Sequence, residues 1–123
     1  MPKIFFPSSR PVFLDEKKIV ASLKGLAKRL AEANSRIQKI YLFGSLAWGN
    51  AGHHSDADIF IVLKHDPRSM KERLDEFILK MAEAPVPVDV LVYTQDELNQ
   101  ALARENRFLQ KIVASGKILY SIT

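Results

Sequence analysis

The sequence predicts a mixed α/β (α+β) fold, with a mixed sheet of about four strands flanked by helices. Three observations predict it. Stretches with apolar residues at helical spacing alternate with short β-rich runs. Two of those runs, 57–63 and 86–93, are apolar on both alternating sets, the pattern of strands covered on both faces. At 123 residues, 47% apolar and 26% charged, the chain has the size and composition of one ordinary soluble domain.

Each element can be justified in order. Residues 1–13 hold Pro2, Pro7 and Pro11 and read as an arm, which leaves 14–123 as a single domain. The arm's Ile4, Phe5, Phe6 and Phe13 are expected to pack, on this chain or on a partner. Asp15 can cap a first helix, whose stripe is Ile19, Leu23, Leu26, Ala27, Leu30 and Ala31, and Asn34 ends it. IQKIYLF, 37–43, is a strand closed by Gly44, and ADIFIVL, 57–63, is the next strand after a glycine-bearing loop. Asp66-Pro67 is expected to cap and open a second helix, with Met70, Leu74, Phe77, Ile78 and Met81 as its apolar side. Pro85 and Pro87 bracket the start of a third strand, VPVDVLVY, 86–93. Thr94 and Glu97 fit a capping box. The segment 95–114 is expected to form two helical pieces that break near Arg104–Asn106. Ser115-Gly116 stops the last piece, and KILYSI closes the chain as a short strand.

Composition excludes several classes. Without cysteine there is no disulfide framework and no thiolate metal site. No apolar run approaches the ~20 residues that span a bilayer. The proline-broken N-terminus makes a poor signal peptide, so no membrane contact and a cytoplasmic location are expected. A net charge of +4 suits an anionic substrate or an acidic partner. Lysines and arginines are spread over helix faces with no basic stripe of interleaved aromatics, so nucleic acid is not the expected partner.

The chemistry-bearing residues are acids. Asp56 and Asp58 stand two apart at the head of a strand, so they share a face, roughly 6–7 Å apart at Cα. Like charges this close repel unless something positive stands between them. Asp89 interrupts an otherwise apolar strand, where an unpaired charge is costly. If the two strands are neighbours, all three carboxylates can converge. Oxygen-only ligands suit Mg²⁺, and two such ions about 4 Å apart clamp an in-line phosphoryl displacement. Two of the acids also have a ready structural reading, Asp56 as a turn residue after Ser55 and Asp58 as the partner of a lysine or arginine; Asp89 is harder to explain structurally. Gly44-Ser45 supplies a second half, because a glycine ending a strand lets backbone N–H groups face a phosphate and serine adds a hydroxyl donor.

Gly44-Ser45, ten residues, then Asp56-Ala57-Asp58, with Asp89 on the next strand, resembles the signature of the nucleotidyltransferase superfamily related to DNA polymerase β. Within it the chain is most similar to the minimal nucleotidyltransferases (MNT), the antitoxin partners of HEPN-domain toxins. The ending FLQKIVASGKILY is similar to that family's helix, glycine and Ile-Leu-Tyr strand, and the resemblance covers about residues 15–121. It implies the polymerase β-like nucleotidyltransferase fold. It implies that Gly44 and Ser45 hold the β- and γ-phosphates, that Asp56, Asp58 and Asp89 bind two Mg²⁺ ions, and that Asp89 helps deprotonate the acceptor. The implied reaction is transfer of AMP from ATP to a hydroxyl, commonly a tyrosine of a helical HEPN toxin, with release of pyrophosphate. Such a protein works as a homo- or hetero-oligomer.

Two features depart from the pattern. Trp48 stands where many relatives carry arginine, and it can stack on a base or pack under the loop. His53 and His54 stand where charged residues are usual; adjacent residues rarely face one ion, so they read as solvent-exposed loop histidines. Two other functions stay open beside protein modification. One is a module that silences its partner by contact alone. The other is nucleotidyl transfer to a small molecule, with a partner completing the site.

Overall fold

The computed structural model describes residues 3–4, 16–49 and 56–122. A two-residue strand, β1 (Lys3–Ile4), comes first. The long helix α1 (Glu16–Ala33) buries Ile19, Leu23, Leu26, Ala27, Leu30 and Ala31, the stripe its periodicity predicts. Asn34 follows it, buried, and its Oδ1 accepts from the Arg36 backbone N–H at 3.0 Å and from Arg36 Nε at 3.1 Å. Strand β2 (Ile37–Phe43) then leads through Gly44 into a single helical turn, α2 (Ser45–Trp48). Next come β3 (Ala57–Leu63), α3 (Met70–Lys80) with a 3₁₀ turn at Met81–Glu83, and β4 (Val88–Thr94). The chain ends with α4 (Gln95–Ala103), α5 (Arg107–Ser115) and β5 (Lys117–Ser121).

The five strands form one mixed sheet in the order β1-β4-β3-β2-β5, so β3 is central. β3 and β4 run parallel, which requires a crossover, and α3 supplies it. The other pairings are antiparallel. Alternation along the strands sorts the apolar residues into two cores. On one face Leu42, Ile59, Ile61, Val90 and Val92 meet α1, Phe77 and Met81. On the other Tyr41, Phe43, Phe60 and Val62 meet Leu98 of α4 and Leu109 and Ile112 of α5. Both faces of β3 are therefore dry, as its continuous apolar run predicts.

The structure differs from expectation at three places. Within the arm, Lys3–Ile4 pairs with β4 opposite Asp89 and Val88, because a parallel β4 otherwise leaves an apolar sheet edge open. The helix expected at Asp66-Pro67 starts later: Ser69 caps α3 in a capping box with Glu72. Asp66 turns instead to its own neighbour, its Oδ1 accepting from the Arg68 N–H at 2.9 Å, a local bond that competes with helix entry. Strand β4 spans Val88–Thr94, so it starts after Pro87 rather than at Val86. The Thr94–Glu97 capping box forms as expected. The α4–α5 break falls where expected too, with Glu105 left-handed at φ 61° and Asn106 Oδ1 accepting from the Leu109 N–H at 3.1 Å. Asp15 lies outside the described residues. Among the described residues no helix is long and apolar enough to cross a membrane.

Candidate active site

The site residues gather at one end of the sheet. Parallel pairing sets Asp58 of β3 directly beside Asp89 of β4, and antiparallel pairing sets Phe43 of β2 on the other side of Asp58. Residues in register share a face, so Phe43, Asp58 and Asp89 form a row across three strands, with strands roughly 4.8 Å apart. The row lies on the face that carries Phe60 and Tyr93 and is covered further along by α4 and α5. Both acids are half-buried, as is Asp56, one residue before β3. Rigid central strands thus hold two like charges side by side, an arrangement that favours a cation between them.

Gly44 closes the row. Its backbone sits at φ 76° and ψ −157°, a left-handed conformation that a side chain strains to adopt. A Cβ there would stand 2.1 Å from Asp58 Oδ2. Only a glycine lets the turn press against that carboxylate. Ser45 starts α2, and the Gly44 carbonyl accepts from the N–H groups of Ala47 (3.1 Å) and Trp48 (3.0 Å). The start of this turn therefore stands next to Asp58.

The register brings Asp58, Asp89 and Gly44 together and places Asp56 just ahead of them. Among the described residues, no group of three histidine or acidic side chains is drawn around one point. The donor set is nonetheless right for Mg²⁺: carboxylate oxygens alone, half-exposed, on adjacent rigid strands, beside a turn that only glycine can make. The residues fit the ion that the resemblance implies. His53 and His54 lie outside the described residues.

Sequence reasoning predicted the second helical piece of 95–114 but not that it flanks this turn. Trp48 packs against the aromatic core, and its Nε1 donates to the Ser115 carbonyl at 3.0 Å. Lys111 Nζ lies over the indole, 4.0 Å from its centroid. Phe108, one turn earlier on α5, meets Phe43 edge-to-face at 5.5 Å.

The nucleotidyltransferase domain family matches residues 23–118, a span that contains Gly44, Ser45 and all three aspartates. Among solved structures, the chain is similar to a Sulfolobus solfataricus protein described as a nucleotidyltransferase, with TM-score 0.59 and 20% identity over 78% of this chain and 85% of that one. It is also similar to a toxin-antitoxin solved with AMP-PNP, with TM-score 0.49 and 26% identity over 89% of this chain and 76% of that one. No curated protein matches.

Proposed function

The chain belongs to the nucleotidyltransferase domain family, and on that premise we propose that it transfers AMP from ATP to a hydroxyl of a partner protein. The observation that carries the reading is the register of Asp58 beside Asp89 with Gly44 pressed against Asp58. Gly44 and Ser45 hold the β- and γ-phosphates, fixing the α-phosphorus in line with the acceptor. Asp56, Asp58 and Asp89 hold two Mg²⁺ ions, which, when bound, neutralise charge on the phosphates and on the leaving pyrophosphate. Asp89 takes the proton of the acceptor hydroxyl. The new bond joins the acceptor oxygen to the α-phosphorus, and the bond to the bridging oxygen of pyrophosphate breaks.

The acceptor we propose is a tyrosine of a helical HEPN toxin, whose modification makes this protein the antitoxin of a pair. That part rests on the sequence resemblance of Gly44-Ser45 and Asp56-Ala57-Asp58 to the minimal nucleotidyltransferases. The test is mass spectrometry of the protein encoded by the adjacent gene after incubation with ATP, Mg²⁺ and this chain. A gain of one or more AMP units, absent with the Asp58→Ala variant, is expected. Partner silencing with no mass gain would replace catalysis with inhibition by contact.

A further inference from the structure

We propose that Phe108 is the surface on which the nucleobase of the bound nucleotide stacks, an inference that rests on the nucleotide transfer proposed above. Two contacts fix how α5 lies along the Gly44–Trp48 turn. At one end Phe108 meets Phe43 at 5.5 Å with the rings at 85°. At the other, Lys111 covers the Trp48 ring and the Ser115 carbonyl accepts from Trp48 Nε1. Gly44 and Ser45 come between Phe43 and Trp48 in the chain, so one flank of α5 runs beside the phosphate-holding turn.

One side of the Phe108 ring packs on Phe43, and the rest of it is open to solvent. The buried side of α5 is Leu109 and Ile112, and Phe108 is 51% exposed. Its neighbour Phe43 is the residue in register with Asp58, so the half-exposed ring contacts a member of the row that holds the acids. A nucleotide with its β- and γ-phosphates at Gly44-Ser45 carries its base one α-phosphate and one ribose further on, on the scale that separates the turn from a ring on its flank. A flat aromatic surface accepts any base, because every base has a π-face. The chemistry predicts affinity for the base with little discrimination among bases.

The test separates the base from the phosphates. Calorimetry on the full chain with Mg²⁺ measures binding of ATP, GTP, CTP and inorganic tripolyphosphate to the wild type, Phe108→Ala and Phe108→Trp. Phe108→Ala should weaken all three nucleotides about tenfold and change tripolyphosphate by less than about twofold. Phe108→Trp should keep nucleotide affinity near the wild-type value. Unchanged nucleotide affinity in Phe108→Ala overturns the proposal, and so does an equal loss for nucleotides and tripolyphosphate, which would mark a structural role. Wild-type protein that binds neither ligand overturns the nucleotide-transfer reading itself, whereas selective loss in the variant supports both.

Discussion

The two ends of the central strand β3 treat negative charge in opposite ways. Beyond its C-terminal end, Asp66 is almost wholly buried, and Arg36 and Arg68 both reach its Oδ2, at 3.0 and 2.7 Å. Glu76 accepts from Arg36, Arg68 and Lys80, and Arg73 bridges Glu97 to the Asp66 carbonyl. There every acid meets a guanidinium in fixed geometry. At the N-terminal end, Asp58 and Asp89 are set beside each other instead. The first arrangement spends its electrostatics on the fold. The second sets two carboxylates in register on adjacent strands, the arrangement on which the proposed function rests. The difference teaches where to look: arginines gather the acids at one end into a network that holds the fold, and the acids in register at the other end are the candidate site.

That comparison can be broken most sharply at the acids. Asp58→Ala or Asp89→Ala should lower transfer by at least about 10³-fold while the melting temperature stays within a few degrees of wild type. Retained AMP transfer in either variant would remove the metal assignment. Gly44→Ala should follow, with transfer down about 10²-fold, because its Cβ would displace Asp58 Oδ2 and strain the turn. Circular dichroism should still report a folded chain, and an active Gly44→Ala protein would deny the turn its role.

The opposite end should respond in the opposite sense. Asp66→Ala leaves Arg36 and Arg68 without their buried acceptor, so denaturant titration should show a loss of about 3 kcal/mol. Transfer per folded molecule should be unchanged, since this end is a strand's length from the site. A smaller effect should come from pH. The Arg68 hydrogen bonds chiefly, with Arg36 adding, hold the Asp66 carboxyl at about 2. For Glu76, burial works to raise the value, but hydrogen bonds from Lys80, Arg68 and Arg36 outweigh it and hold this carboxyl at about 2 as well. Both folded-state values are depressed, so this stabilisation is complete above the unfolded values of 3.8 and 4.5 and is lost as pH falls toward 2. Urea midpoints across pH 5 to 2 should reveal a loss on the order of 2 kcal/mol for the shared network, and Asp66→Ala should flatten that slope. An unchanged slope would mean the network is not what the acid end of the profile reports.

Much of the fold was legible because its signals are local. The helical stripe of α1, the runs of β2 and β3, and the Thr94–Glu97 box each depend on residues within one or two turns, and each formed as read. The start of α3 was misread for a local reason too. Asp66-Pro67 and Ser69-Glu72 both carry start signals, and the choice fell to Ser69 because Asp66 is claimed by the N–H of Arg68, two residues on. Arg73 was unreadable as a buried residue, since it needs Glu97 and the Asp66 carbonyl to satisfy it.

The sequence by itself marked the candidate site residues, Gly44, Ser45, Asp56, Asp58 and Asp89, by spacing and by charge in apolar strands. Only the tertiary structure decided that Asp58 and Asp89 stand in register, that the Gly44 backbone fills the space beside Asp58, and that Phe108 meets Phe43. The physical reason is range. Period and capping act over a few residues, whereas strand order and the seating of α5 are set by burying two apolar faces of one sheet at once, which no local stretch specifies.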